Sequence, residues 1–208
     1  MHLIYHDGSA GGIFFPPGKP KDGGTCEFAT RKCLNNCVLK VNEPTKQTYR
    51  CFVDYSVGEI VGEIMREMSY YPNKFITWFV SGDCPRELED KIAEVMKCLS
   101  RQEIVQHGFT RNKSLWRKIR GIHKLTLCLT VENLTKASKE KEGDYIVVPD
   151  YKTERVDIFK LKDSEYTYSG SCGSGWVKTP VTQSWDAFDV SEEDCGLCYK
   201  NKKGCFGL

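Results

Sequence analysis

Residues 75–83 read Phe-Ile-Thr-Trp-Phe-Val-Ser-Gly-Asp. β-Branched and aromatic side chains run unbroken from Phe75 to Val80 and stop at a Ser-Gly-Asp turn, the pattern of a strand buried on both faces. Pro85 then opens a helix that reaches about Leu99, with Leu88, Ile92, Val95, Met96 and Leu99 on one face. A doubly buried strand running straight into an amphipathic helix is the first half of a βαβ unit.

The same alternation extends in both directions. Upstream, Val57, Ile60, Val61, Ile64, Met65 and Met68 make one apolar helical face, and Ser56 is placed to cap it. Downstream, the pattern predicts a strand at Glu103 to Phe109, a short helix at Lys113 to Ile119 and a strand at Leu125 to Val131. A polar helix at Leu134 to Glu142 and a strand at Tyr145 to Val148 follow, with Arg155 to Leu161 as an edge strand. These units are too few for an eight-stranded barrel. The expected fold is α/β: a partial (βα) barrel or an open, mostly parallel sheet, with Cys-rich N- and C-terminal loops. One domain is expected, organised as a Cys- and Gly-rich segment (1–55), a βα core (56–162) and a Cys-rich tail (163–208). Between residues 8 and 25, six glycines and three prolines leave room only for a short strand at Ile13 to Phe15.

Composition narrows the function classes. A chain of 208 residues with 40% hydrophobic content can bury a proper core and is not a disordered one. A net charge of +2 does not drive wholesale coating of a polyanion. No apolar run approaches the roughly 18 residues of a spanning helix, so no membrane partner is expected. The opening Met-His-Leu-Ile-Tyr-His-Asp-Gly has neither a basic start nor a long apolar stretch, and a cytoplasmic location is the expectation.

Eleven cysteines stand out. In a reducing compartment, loop cysteines at short spacing favour metal or iron–sulfur ligation over disulfides. Cys26, Cys33 and Cys37 are spaced C-x6-C-x3-C, beside Gly23, Gly24, Asn35 and Asn36, which let a loop turn several sulfurs inward. Cys195, Cys198 and Cys205 form a second group, C-x2-C-x6-C, and Cys51 and Cys172, expected in or near loops, can complete either one. Cys98, on the buried side of a helix, and Cys128, inside an apolar strand, read as core residues, while Cys84 is open to either reading. Four thiolates around zinc make a closed structural site, whereas iron–sulfur clusters use the same ligands and can leave one iron open; three cysteines on one loop favour the open iron. His2, His6, His107 and His123 show no metal-ligand spacing.

In parallel sheets ligands gather at the carboxyl ends of the strands. Gly82 and Asp83 occupy one such end, and Thr110 and Arg111 another. Gly82 permits close approach of a ligand, Asp83 accepts from an amine or hydroxyl, and Arg111 pairs with a carboxylate or phosphate. Asp83 is equally placed to cap the helix begun by Pro85. From Arg111 to Lys124 there are six cations, with Trp116 among them and no acid, a stretch able to grip nucleic acid or to serve as a solvated face.

The order of these features resembles the bacteriophage "gene product eighty-eight" family. The resemblance rests on the cysteine-bearing N-terminal loop, Tyr49-Arg-Cys-Phe52, Thr77-Trp-Phe-Val-Ser-Gly-Asp83, Phe109-Thr-Arg-Asn-Lys-Ser-Leu-Trp116 and Cys195-Gly-Leu-Cys-Tyr199. That family looks like a relative of the radical S-adenosylmethionine enzymes. The resemblance implies a partial (βα) barrel and [4Fe-4S] clusters. Cys26, Cys33 and Cys37 would hold a cluster with one open iron, the Gly82–Asp83 strand end would meet the amino group of S-adenosylmethionine, and the tail cysteines would bind an auxiliary cluster. The usual radical enzymes carry C-x3-C-x2-C; here Cys33-x3-Cys37 is followed by Val38, Leu39 and Lys40, and the remaining cysteine lies upstream.

The expected function is iron–sulfur redox or radical chemistry, of an oxidoreductase or transferase kind, with a small-molecule substrate or an electron donor as partner. The alternatives are a zinc-stabilised module that binds nucleic acid through residues 111–124, and an electron-transfer protein with saturated clusters.

Overall fold

The computed structural model describes residues 3–7, 10–37, 41–70 and 75–132, together with strands at 145–150, 155–162 and 165–172. Eight strands form one sheet in strictly sequential order. They are β1 (Tyr5–Asp7), β2 (Ala10–Phe14), β3 (Phe75–Ser81), β4 (Val105–Thr110), β5 (Leu125–Thr130), β6 (Tyr145–Asp150), β7 (Arg155–Lys162) and β8 (Glu165–Cys172). Four consecutive parallel pairings join β2 to β6. An antiparallel β1 flanks them on one side, and the antiparallel pairings of β7 with β6 and β8 on the other. The α/β, open and largely parallel character matches the expectation. Arg155–Lys162 differs from it: this strand is internal to the sheet, and β8, in the segment expected to be a tail, takes the edge.

Five α-helices are described: α1 (Arg31–Asn35), α2 (Glu43–Asp54), α3 (Val57–Met68), α4 (Glu89–Arg101) and α5 (Lys113–Lys118). Sequential parallel strands with right-handed crossovers put successive helices on one face of a sheet. Accordingly α3 packs on α4, and α4 on α5. The α3 face is as the periodicity predicts, with Ile60, Ile64 and Met68 buried and Ser56 accepting from the Glu59 amide in a full capping box. The helix expected from Pro85 begins instead with a 3-10 turn, Arg86–Leu88, before α4. The polar helix expected at 134–142 lies outside the described residues.

Helix α2 went unread in the sequence because its buried face is only weakly apolar: Thr45, Thr48, Cys51 and Phe52. Its start is nonetheless well marked, since Asn42 and Thr45 form a reciprocal capping box with Pro44 in the first turn. Cys51, expected in or near a loop, is therefore a core residue at 6% exposure.

The core lies between the helices and the sheet. Phe15, Phe52, Trp78 and Phe79 form its aromatic centre, with ring centroids 5.0 Å apart for Phe15–Phe52 and 6.0 Å for Phe52–Trp78. Strand alternation would send Trp78 and Phe79 to opposite faces. Phe79 instead has φ of 55°, a costly conformation for a bulky residue, and its ring lies 5.7 Å from that of Phe15 and 5.8 Å from that of Trp78. Cys128 is fully buried on β5, as expected of a small hydrophobe, whereas Cys98 is only half-buried, near Glu94 and Arg101.

Candidate functional site

The chain leaves β2 through Phe15 and turns across the carboxyl ends of the parallel strands. Its backbone is fixed first by close approach. A Cβ on Gly24 would sit 2.2 Å from the Gly18 carbonyl oxygen and 2.4 Å from that of Pro17, so no other residue fits without moving main chain. The Cys26 amide donates to the Gly18 carbonyl at 2.8 Å, and the Thr25 amide to that of Pro16 at 2.8 Å. The Lys19 ammonium then donates to the Glu27 carbonyl at 2.8 Å and the Ala29 carbonyl at 2.7 Å. One cation thus gathers the turn that follows Cys26.

Two strand ends hold this loop from outside, and a third braces one of them. Beyond β3, the Asp83 amide donates to the Thr25 hydroxyl at 3.1 Å, and the Arg86 amide and guanidinium both reach the Glu27 carboxylate. Beyond β4, the Arg111 guanidinium donates to Glu132 at 2.9 Å. Beyond β5, that same Glu132 oxygen accepts the Thr30 hydroxyl at 2.6 Å. Thr30 also caps α1 by accepting from the Cys33 amide. Cys26 and Cys33 are half-buried and Cys37 is exposed.

Asp83 is the junction of two strand ends. It is buried, and its carboxylate accepts from the Thr110 hydroxyl at 2.5 Å, the Arg111 amide at 2.8 Å and the Cys84 amide at 2.8 Å. It does not cap the helix after Pro85: neither that 3-10 turn nor α4 has a side-chain N-cap. Burial pushes its carboxyl up to about 6, against the pull of those three donors and of the Arg111 charge. Gly82 has φ of 72°, and a Cβ there would meet Phe15 at 2.6 Å, so it brings β3 against the start of the cysteine loop. Of the expected ligand-facing residues, Gly82, Asp83, Thr110 and Arg111 do come together. Their polar groups satisfy one another and the loop.

The thiols sense this environment. Burial pushes the Cys26 thiol up to about 12, a hydrogen bond from Gly18 opposes, and the neighbouring Asp83, Cys33 and Cys37 add smaller upward contributions. A thiol held so firmly in its protonated form is a poor nucleophile. Its thiolate forms only where a cation offsets the cost of burying the charge. Cys84, beside Asp83, is fully buried and pushed up mainly by burial, and reads as a packing residue.

Among the described residues, no three His, Cys, Asp or Glu side chains converge closely enough to hold a metal ion. No disulfide joins the described cysteines to one another. Cys172 ends β8, on the far side of the sheet order from the N-terminal loop. Cys195, Cys198 and Cys205 lie outside the described residues.

The basic stretch has a different character. Lys118 reaches Glu89 and Asp90 at 2.6 Å each, Lys124 pairs with Glu103, and the Arg120 guanidinium lies 4.9 Å from the centre of the Trp116 ring. Trp116 is 3% exposed and belongs to the core. It offers no face for stacking on a base. His107 is fully buried on β4, 3.1 Å from the Thr77 hydroxyl, and burial keeps its imidazole neutral.

Sequence reasoning missed Lys19, Thr25, Thr30 and Glu132. Thr30 had a readable signal, a threonine three residues before Cys33. Glu132 sits just past the predicted strand Leu125 to Val131, where a ligand-facing side chain is expected on the same rule that singled out Asp83.

Fold and site together define an α/β chain with a three-thiol loop bound across the carboxyl ends of a parallel sheet. The chain matches no family model, no curated protein and no solved structure. No helix among the described residues is long and apolar enough to cross a membrane.

Proposed function

We propose that this chain is an iron–sulfur protein in which Cys26, Cys33 and Cys37 bind a [4Fe-4S] cluster at the mouth of a partial (βα) barrel. The observation that carries this reading is the placement of the three-cysteine loop, tied by Thr25 and Thr30 to the ends of β3 and β5. A metal loop of this length has to be shaped by the protein, and Lys19, Gly24, Glu27 and Arg86 supply that shaping. The donor set fits the group: three thiols on one loop beside a carboxylate. A cubane cluster also suits three thiols that do not converge on one point, because each thiolate binds a different iron.

When bound, such a cluster supplies one-electron chemistry and, with three protein ligands, one iron open to a further ligand. The chain's own residues would position that ligand and keep water out. Gly82, Asp83, Thr110 and Arg111 lie beneath the loop and support it, and the resemblance to radical S-adenosylmethionine enzymes makes S-adenosylmethionine the ligand to try first. Oxidoreductase or transferase chemistry on a small-molecule substrate follows from that choice.

Anaerobic purification with iron, sulfide and zinc analysis tests the reading. Brown protein with a broad visible band and about one cluster's iron lost in each of Cys26→Ser, Cys33→Ser and Cys37→Ser supports it. Colourless protein with stoichiometric zinc and no sulfide replaces it with a zinc-stabilised module. Brown protein that gives no heat with S-adenosylmethionine in calorimetry is an electron-transfer protein with saturated clusters.

A further inference from the structure

We propose that Glu132, at the end of β5, is the clasp of the cysteine loop and a positioning residue for whatever the loop binds. A single oxygen of Glu132 accepts both the Thr30 hydroxyl at 2.6 Å and the Arg111 guanidinium at 2.9 Å. The Arg111 and Glu132 side chains are 11% and 13% exposed, so solvent screens the pair little. The backbone of Arg111 is in turn bonded to Asp83, and the backbone of Asp83 to Thr25. Glu132 therefore closes a circuit that leaves the loop at Thr25, crosses the ends of β3, β4 and β5, and re-enters the loop at Thr30, enclosing Cys26 between its two anchor points. Thr30 connects the clasp to a cysteine directly, because its hydroxyl oxygen also accepts from the Cys33 amide.

Two consequences follow. The order of residues 26–37 depends on Glu132 even without metal. The negative charge of Glu132, carried close to the loop, opposes added electrons on a bound group and so sets its potential. The second consequence rests on the cluster reading; the first does not.

The test uses the full-length chain, prepared anaerobically, as wild type, Glu132→Gln, Glu132→Leu, Thr30→Val and Thr30→Ser, with far-ultraviolet circular dichroism to verify folding. Amide exchange over residues 26–37 is expected to speed about tenfold in Glu132→Leu, the factor that one ordinary hydrogen bond represents, to speed further in Thr30→Val, which also loses the cap on the Cys33 amide, and to return to the wild-type rate in Thr30→Ser. Glu132→Gln retains an acceptor for Thr30 and is expected to keep its iron while the midpoint potential of the reduced–oxidised couple moves upward. Should Thr30→Val unfold, Glu132→Leu decides the exchange measurement alone. A folded Thr30→Val or Glu132→Leu with wild-type exchange over 26–37 overturns the clasp. An unmoved potential in iron-loaded Glu132→Gln overturns its positioning role. Wild-type protein free of iron sinks the cluster reading alone, since exchange still decides the clasp.

Discussion

The cysteine loop and the basic stretch both sit at carboxyl ends of strands, and both carry a dense run of one kind of chemistry. They differ in where that chemistry is used. In residues 111–124 four of the six cations pair with or lie over the protein's own groups: Arg111 with Glu132, Lys118 with Glu89 and Asp90, Lys124 with Glu103, Arg120 over Trp116. In residues 25–37 the threonines, the lysine and the backbone make the bonds that fasten the loop to the strand ends, while the Cys26 thiol accepts from Gly18 within the loop itself. A functional run is told from a structural one by which side chains do the fastening. Where the conspicuous residues fasten, the run is architecture; where inconspicuous neighbours do most of the fastening, the run is the place to test for a bound group.

The largest expected effect separates the two regions by stability. Trp116→Ala removes a buried ring and the surface that Arg120 lies over, at a cost of about 3–5 kcal/mol in urea denaturation. On the cluster reading the folded fraction keeps its full metal content, because none of the contacts given above joins Trp116 to the loop. Metal lost in proportion to the mutation, with protein still folded, would erase the distinction between architecture and site.

Asp83 gives a second, slightly smaller effect with a definite sign. Its folded carboxyl stands at about 6 against an ordinary 3.8, because burial disfavours the charge. The folded state therefore binds the proton more tightly than the unfolded chain. The stability from this group is complete below 3.8 and is lost as pH rises through about 6; the interval is worth about 3 kcal/mol. Asp83→Asn removes the titrating group. The difference in unfolding free energy, wild type minus variant, should fall steadily between pH 4 and 6.5 and be flat above. A difference that rises with pH in that window would mean that the donors from Thr110, Arg111 and Cys84 outweigh burial.

The sequence carried the sheet and helices further than it carried the site. The α3 and α4 faces and the strands β3 to β5 were legible because apolar periodicity is written in consecutive residues. Helix α2 was not, because threonines fill half its buried face and periodicity counts them as polar. The site is a matter of pairings between residues far apart in the chain. Thr30 meets Glu132 across 102 positions and Asp83 meets Thr25 across 58, and no local pattern encodes a partner at that distance. Gly82, Asp83, Thr110 and Arg111 were identified only because strand ends are positions with a general rule attached. That rule, applied once more past β5, would have reached Glu132.

Gly24 tests the loop's shaping alone. An alanine there puts a carbon 2.2 Å from a main-chain oxygen, so the backbone from Pro17 to Cys26 has to shift, at a cost of about 1–3 kcal/mol. On the cluster reading the change lowers metal content while leaving the core intact by near-ultraviolet circular dichroism. Gly58→Ala is the control, since its Cβ meets nothing within 4 Å and α3 gains from alanine. Equal metal loss in both variants would deny the loop its special geometry.

The smallest expected effect concerns polyanions. A surface that neutralises Z phosphates releases counterions, and the logarithm of its affinity falls against the logarithm of salt with slope about −0.9Z. Lys118 and Lys124 already have carboxylate partners, so for them binding would exchange one anion for another with little release. Titration of a fluorescent single-stranded oligonucleotide at several salt concentrations should give a slope no steeper than about −2, unchanged in Lys118→Gln and Lys124→Gln. A slope near −4 that loses about one for each lysine removed would show the internal pairs giving way to phosphate, and would return the basic stretch to the functional side of the comparison.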